Sequence, residues 1–320
     1  MTKILITGGA GFIGSNFVRT LVQDGGYSIV VLDALTYAGT LTSIEPILDD
    51  NCQFVHGDIA DRILVGHLFE THNFDYVINF AAESHVDRSI TDPDVFIRSN
   101  VVGVQVLLEA SRKHGVTKYL QVSTDEVYGS LGETGFFTEE TTLDPSSPYS
   151  ASKASADLLV QAWHRTYGLP VNITRCSNNY GPYQFPEKLI PLMVSKSLSD
   201  EALPVYGDGS NIRDWIHVQD HCDALKCVLE KGVSGRVYNI GGNNERSNLA
   251  VVRAILDAVQ KPHSLISFVE DRLGHDWRYA IDNTRITTEL GWSPKYTFEQ
   301  GLQSTIEWYL NNRAWWHPLL

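Results

Sequence analysis

Tyr149 and Lys153 stand four residues apart in Tyr149-Ser150-Ala151-Ser152-Lys153, a spacing that puts a phenol and an ammonium on one face of a helix. A phenol serves as a base near neutral pH only when a neighbouring cation lowers its pKa, which Lys153 can do. Local signals set that helix: Ser147 as N-cap, Pro148 at its first position, and Gly168-Leu169-Pro170 as its stop. Upstream, the strand-like run Leu120-Gln121-Val122-Ser123 ends in Thr124-Asp125-Glu126. A hydroxyl and two carboxyls then lie at a strand's carboxyl end, where open α/β sheets bind ligands. Adjacent acids suit a step that needs one ionised base beside one protonated acid, because repulsion and burial push the two pKa values apart.

Near the amino terminus, Thr7-Gly8-Gly9-Ala10-Gly11-Phe12-Ile13-Gly14 follows the apolar run Ile4-Leu5-Ile6. Gly8 permits a tight turn, Gly11 lets the backbone approach a pyrophosphate, and Gly14 lets helix and strand pack closely, while the helix N-terminus favours negative charge. A glycine loop alone is weak evidence. Asp33 strengthens it, following Leu32 directly and 19 residues beyond Gly14. A carboxylate there accepts both ribose hydroxyls of NAD and repels the extra phosphate of NADP, so NAD is the expected cofactor. Asp58, after the third strand, is placed to meet the adenine amino group.

Short apolar runs carry these residues: Ile4 to Thr7, Ile29 to Leu32, Phe54 to His56, Tyr76 to Phe80, Leu120 to Ser123 and Val171 to Arg175, with helical stretches between. Such alternation makes a parallel sheet covered by helices on both faces, and the nearly all-apolar strands fit double-sided burial. Phe17 and Leu21, then Val101, Val104, Leu107 and Leu108, have helical spacing. After Ser177 the rhythm changes to a Pro-, Gly- and Tyr-rich stretch through Gly209, followed by a helix at Val218 to Leu229 and a strand at Val237 to Ile240. The expected fold is α/β: a Rossmann-type doubly wound parallel sheet with a smaller C-terminal substrate-binding lobe. Residues 1–176, with later returns near 212–242, are expected to form the NAD-binding domain, and residues 177–320 mainly the interleaved lobe.

The net charge of −13 argues against general binding to nucleic acid or anionic lipid and demands local cations for any anionic substrate. No apolar run approaches the roughly 20 residues that cross a bilayer, and a strand beginning at Lys3 leaves no room for a signal peptide, so a soluble cytoplasmic protein is expected. Cys52, Cys176, Cys222 and Cys227 show no zinc spacing and read as reduced; no metal is expected. The tail Arg313 to Leu320, with Trp315 and Trp316, is expected to dock on the surface or on a second subunit.

Beyond these features, several segments resemble the dTDP-glucose 4,6-dehydratase family of extended short-chain dehydrogenases. They are Ala81 to Ser89 (AAESHVDRS), Ser123 to Gly129 (STDEVYG), Ser177 to Pro182 (SNNYGP), Phe185 to Pro191 (FPEKLIP), Ile212 to Trp215 (IRDW) and Asp271 to Asp276 (DRLGHD). The resemblance runs from Lys3 to Leu310. It implies that Tyr149 takes the proton of the sugar's 4-hydroxyl as hydride leaves C4, that Glu126 removes the C5 proton, that Asp125 protonates the departing 6-hydroxyl, and that Thr124 hydrogen-bonds the 4-hydroxyl. It also implies that Phe12, Ile13, Ala34, Leu35, Thr36, Ile59, Ala81, Ala82, Ser99 and Asn179 join the glycines, Asp33, Asp58, Tyr149 and Lys153 around NAD. On the nucleotide-sugar side it implies Ser84, Thr124, Asn178, Lys188, Leu189, Pro204, Val205, Tyr206, Arg213, Asn248, Asp271, Arg272 and His275. Arg213 and Arg272 suit a diphosphate because a guanidinium grips phosphate through two donors. The helices that include Ala151 to Tyr167 form a homodimer contact in the resembled family. Leu273 replaces the family's usual proline, and the segment between Gly129 and Pro145 is shorter than in many members.

A nucleotide-sugar epimerase would share the NAD loop, hydroxyl and tyrosine but has no need of acid and base at C5 and C6, so Asp125-Glu126 discriminates against it. A non-catalytic NAD-binding regulator on the same fold is the rival from another class. Thymidine and uridine nucleotides are not distinguished by the sequence, nor is the downstream sugar, rhamnose or another.

Overall fold

The computed structural model describes residues 1–271 and 275–320. From the amino terminus, β1 (Thr2–Thr7), α1 (Phe12–Asp24), β2 (Tyr27–Asp33), β3 (Cys52–His56), α2 (Arg62–His72) and β4 (Tyr76–Asn79) alternate. Two short helices follow, α3 (Val86–Thr91) and α4 (Pro93–Phe96), then a π-helical turn over Ile97–Gly103 that continues into α5 (Val104–His114). Next come β5 (Lys118–Thr124), α6 (Pro148–Tyr167) and β6 (Val171–Cys176). The remaining chain forms β7 (Asn178–Tyr180), α7 (Leu189–Leu198), β8 (Leu203–Tyr206), β9 (Ile212–His217), α8 (Val218–Lys231), β10 (Val237–Ile240), β11 (Glu245–Ser247), α9 (Asn248–Ala258), β12 (Ile266–Val269), α10 (Thr284–Leu290), α11 (Phe298–Asn311) and α12 (Arg313–Trp316).

Seven strands form one parallel sheet in the order β10-β6-β5-β4-β1-β2-β3. The order grows outward in opposite directions from β1 and β4, which opens a crevice at their carboxyl ends. Alternation along one strand explains why these runs are apolar throughout. Ile4 and Ile6 face α1 and α8, with Phe17, Leu21, Cys222 and Leu225, whereas Leu5 faces α2 and α5, with Val65, Phe69, Leu107 and Leu108. Each such side chain contributes about 1.5–3 kcal/mol on full burial. The expected doubly wound sheet is therefore present, and the helix expected at Val218 to Leu229 and the strand at Val237 to Ile240 are α8 and β10.

A separate apolar cluster unites α7, α9 and α11 through Met193, Val194, Val252, Ile255, Leu302 and Ile306. A three-stranded sheet, β11-β9-β7, and the pair β12-β8 belong to this side of the molecule. Three elements stand inside the Pro-, Gly- and Tyr-rich stretch through Gly209: β7, α7 and β8. Pro191 does not break α7, because it lies in the first turn, where backbone N–H groups have no helical partner. The tail docks on its own chain: Trp316 is buried, and its Nε1 donates to Tyr309 O at 2.7 Å. The four cysteines are free thiols.

Candidate active site

The glycine turn is tight enough that two glycines have no substitute. Gly8 has φ 68°, and a Cβ there would fall 2.5 Å from Ala81 N; one on Gly14 would fall 2.3 Å from Gly8 O. Gly11 is different, since a Cβ would meet only Gly8 O at 3.3 Å, and it lines the main cleft. Close packing thus explains Gly8 and Gly14, while Gly11 keeps the backbone approachable from the cleft. At the end of β2, Asp33 Oδ2 accepts from Ala10 N at 2.9 Å and Oδ1 from Leu35 N at 2.8 Å. Burial raises its pKa and these two N–H donors oppose the rise. Each carboxylate oxygen has a second lone pair to offer. Asp58 accepts from Ala60 N at 2.8 Å and pairs with Arg98 at 2.9 Å.

At the carboxyl end of β5 the chain turns through a single 3₁₀ turn, Asp125–Tyr128, whose cap is the Thr124 hydroxyl accepting from Glu126 N at 3.2 Å. Thr124 Oγ1 also donates to Asp125 Oδ1 at 3.4 Å, and Asp125 Oδ2 has no hydrogen-bond partner among the described residues. Facing this turn, α6 begins with the expected Ser147 cap, here a reciprocal box. Ser147 Oγ accepts from Ser150 N at 3.1 Å, and Ser150 Oγ accepts from Ser147 N at 3.0 Å. The helix ends at Gly168 in the left-handed conformation, as its glycine stop predicts. Tyr149 and Lys153 therefore face the cleft from its first two turns.

Burial shifts three of these groups. The Asp125 carboxyl is held well above the ordinary range, first by burial and then by the charges of Glu126 and Asp214, against Arg213 and Thr124. The Tyr149 phenol is also raised, by burial and then Glu126, with the Thr124 hydroxyl working the other way. Its direction is opposite to the one expected from the Tyr-Lys spacing, because desolvation and the Glu126 charge dominate. Lys153 is itself buried, with its pKa lowered by that burial, and its Nζ donates to Val122 O at 2.8 Å.

Behind this wall lies a buried polar network. Arg175 Nε donates to Asp157 Oδ2 at 2.8 Å and Nη1 to the Tyr128 hydroxyl at 2.9 Å, and Tyr128 donates to Asn239 Oδ1 at 2.8 Å. It joins α6, β6, β10 and the Asp125–Tyr128 turn, so the acidic turn is anchored at its far end. Asn100, in the π turn, accepts from Glu83 N at 2.9 Å and donates to Glu83 O at 3.0 Å and Ser152 Oγ at 2.8 Å, which fixes one cleft loop against α6.

One cleft gathers Gly8, Gly11, Phe12, Ile13, Gly14, Asp33, Ala34, Thr36, Asp58, Ile59, Ala81, Ala82, Ser84, Ser99, Thr124, Asp125, Glu126, Tyr149, Lys153, Asn178, Asn179 and Lys188. Leu35 is not on its wall; with φ 49° it presents its N–H to Asp33 instead. Leu189, Pro204, Val205, Tyr206, Arg213, Asn248, Asp271 and His275 also lie off this wall. Val205 is buried in the α7-α9-α11 core, whereas Tyr206, Asp271 and His275 gather at the end of β8, with His275 Nδ1 2.6 Å from Asp271 Oδ1. Arg213 is buried on β9, donating to Ile212 O at 2.7 Å and Asp276 O at 3.0 Å with its guanidinium 4.3 Å from the Tyr279 ring centre. Arg272 and Leu273 lie outside the described residues.

The structure adds Tyr37, Gly39, Glu83, Cys176, Ser177, Gln184 and Phe185 to the cleft wall. Cys176 ends β6 opposite Thr124 and Ser177 follows it, so the strand-end rule that singled out Thr124 points to them as well. Tyr37 follows Asp33 in the same loop, its hydroxyl 3.3 Å from Ser84 Oγ and its ring under the Arg88 guanidinium at 4.0 Å. Gln184 arrives from the lobe with no local signal, whereas Phe185 opens the FPEKLIP segment.

Residues 5–305 match the family model described as GDP-mannose 4,6 dehydratase. A dTDP-glucose 4,6-dehydratase of Xanthomonas campestris pv. campestris is 55% identical, covering 98% of this chain and 95% of the relative. The crystal structure of DesIV, the dTDP-glucose 4,6-dehydratase of Streptomyces venezuelae solved with NAD bound, superposes with a TM-score of 0.97 at 48% identity over all of both chains. That of dTDP-glucose 4,6-dehydratase from Bacillus anthracis, in complex with NAD, gives 0.94 at 53% identity, again over all of both chains. With its glycine turn, its paired acids and its Tyr149-Lys153 helix gathered on one cleft, the chain belongs to the dTDP-glucose 4,6-dehydratase family.

Proposed function

We propose that this chain removes water from dTDP-glucose, giving dTDP-4-keto-6-deoxyglucose for deoxysugar synthesis such as that of rhamnose, with NAD as a cofactor that ends in its starting state. The observation that carries the reading is the one cleft wall on which a buried Asp125, its pKa raised by that burial, stands beside Glu126 and faces Tyr149. An epimerase needs the tyrosine but not the acids. The residues fit NAD: the Gly8-Gly11-Gly14 turn opens onto the cleft at a helix N-terminus, and Asp33 has lone pairs to spare for ribose hydroxyls.

When bound, NAD accepts the hydride of C4 and returns it to C6. Tyr149, held in range of Thr124, takes the proton of the 4-hydroxyl as C4 becomes a ketone, which acidifies C5. Lys153 is placed to hold the nicotinamide ribose and to oppose, through its charge, the burial that disfavours the phenolate. Glu126 removes the C5 proton, Asp125 gives its proton to the leaving 6-hydroxyl, and Glu126 returns a proton to C5 as hydride reaches C6. Once the proton gained by Tyr149 passes to the carboxylate left on Asp125, the enzyme is restored and substrate minus water is the balance. Ser84, Asn178 and Lys188 on the cleft, with Arg213, Asn248 and the Tyr206-Asp271-His275 group beyond it, are assigned to the nucleotide sugar. Residues 1–176, with returns near 212–242, hold NAD, and residues 177–320 mainly grip the nucleotide.

The same reading includes a homodimer and a cytoplasmic setting. Leu158 of α6 is 57% exposed and Val102 of the adjoining π turn 40%, exposed apolar side chains that suit helix-to-helix pairing between copies. Among the described residues no helix is long and apolar enough to cross a membrane. The deciding experiment offers dTDP-glucose, UDP-glucose and GDP-mannose side by side and follows the alkali-induced absorbance of a 4-keto-6-deoxy sugar. Turnover of dTDP-glucose with no net reduction of NAD is expected. Interconversion of the 4-hydroxyl without that absorbance would make the chain an epimerase.

A further inference from the structure

Residues 313–320 take no part in the chemistry above, yet their aromatic rings lie against the back of a cleft loop. That loop, residues 180–188, carries Gln184, Phe185 and Lys188 to the cleft wall. In its middle, Tyr183 has φ 65°, a conformation that a tyrosine keeps only when its surroundings hold it. Aromatic contacts supply the hold. Trp308 of α11 and Trp315 of α12 lie 4.6 and 5.3 Å from the Tyr183 ring centre, and the Arg19 guanidinium covers that ring at 4.4 Å. The Trp315 Nε1 is buried and has no hydrogen-bond partner among the described residues, so this indole is held by edge-to-face ring contacts with Tyr183 and Trp308 rather than by a hydrogen bond.

The backbone on both sides of Tyr183 is tied as well. Asn16 Nδ2 donates to Pro182 O at 2.9 Å, and the Tyr309 hydroxyl donates to Gln184 O. Gln184 Nε2 in turn donates to Asn179 O at 2.9 Å, on the same cleft. Asn16 and Arg19 belong to the helix that starts at the glycine turn. The cage around Tyr183 therefore joins three parts: the C-terminal tail, the lobe's cleft loop and the first helix of the sheet domain.

We propose that the C-terminal aromatic tail, through Trp315 packed edge-to-face against Tyr183, is a positioning element that seats loop 180–188 against the cleft and so sets how firmly the cleft holds cofactor and nucleotide sugar. The proposal rests on the reading of that cleft as an NAD and nucleotide-sugar site. Reacting groups come from β5 and α6, which the tail does not touch, so the chemical step itself is left alone. A tail that served only to complete the α7-α9-α11 core would lower thermal stability without changing affinity.

Trp315→Ala separates the two, with Trp315→Phe as the conservative variant and Tyr183→Gly as a second probe that deletes the ring while relaxing the left-handed backbone. Measured well below each variant's Tm, Trp315→Ala is expected to raise KM for dTDP-glucose and the rate of NAD release by about tenfold, the scale of one aromatic pair. The kcat of NAD-saturated enzyme should stay within about threefold, and Trp315→Phe should restore most of the affinity. Should Trp315→Ala fail to fold, Tyr183→Gly carries the same expectations. A lower Tm with KM and NAD release unchanged would overturn the proposal. Wild-type turnover of dTDP-glucose tests the function itself, and NAD release is read without substrate, so the two readings fail separately.

Discussion

At Asp125 the sign of the pKa shift decides the role. Burial, Glu126 and Asp214 together make the carboxyl keep its proton to a higher pH than an ordinary aspartate does. A group raised in this way is protonated below its folded pKa, so loss of the 6-hydroxyl is expected to slow as pH rises through that value. Asp125→Asn should remove this limb from the pH profile of elimination and slow that step by about 100-fold or more, the scale of general acid catalysis; single-turnover product formation across pH checks both. Asp33 has two tasks at once, since its oxygens accept Ala10 N and Leu35 N while facing the cleft. Asp33→Ala is expected to weaken NAD binding at least tenfold and to erase any preference over NADP, measured by titration of both cofactors. An unchanged preference would remove Asp33 from the ribose site.

Helix α6 was legible in the sequence because every signal that bounds it is local: Ser147, Pro148 and Gly168 stand where the structure has cap, first residue and stop. Ser147→Ala removes one half of the reciprocal box and should cost about 1 kcal/mol in denaturant unfolding, with little further effect once the helix is folded. A neutral result would mean that packing alone places Tyr149. The strands were legible for the same reason, through apolar runs of the right length. What the sequence concealed depends on distant partners. The π winding of Ile97–Gly103 accompanies Asn100 bonds to Glu83 and Ser152, 17 and 52 residues away, and no local pattern encodes those contacts. Lys153 likewise bonds Val122 O, 31 residues back in sequence, and the desolvation that raises the Tyr149 phenol exists only once the sheet and lobe close around it. Gln184 reaches the cleft only through the docking of the lobe.

Across the whole molecule, the two histidines lowered furthest by burial make folding sensitive to acid. Burial lowers His217 to about 4 and His221 to about 3, and His221 Nδ1 lies 2.9 Å from Asn179 Oδ1. A histidine whose folded pKa is depressed binds fewer protons than the unfolded chain, so its stabilising share is intact above about pH 6.5 and is lost as pH falls toward those values. Each adds up to about 1.4 kcal/mol per pH unit to the slope in that window. Urea unfolding between pH 4 and 7 should show the loss, and His221→Gln should flatten it by close to one proton; an unchanged slope would mean that His221 is not neutral in the fold. The division of labour between Tyr149 at C4 and the Asp125-Glu126 pair at C5 and C6 is the centre of the account, and a stopped-flow trace at the absorbance of reduced cofactor tests it most directly. With dTDP-glucose, Tyr149→Phe is expected to suppress that signal, while Glu126→Gln, which keeps size and hydrogen-bonding reach, should let reduced cofactor form and accumulate on the enzyme. If Glu126→Gln, folded and with its NAD content intact, blocks the signal as completely as Tyr149→Phe, the proposed division is wrong.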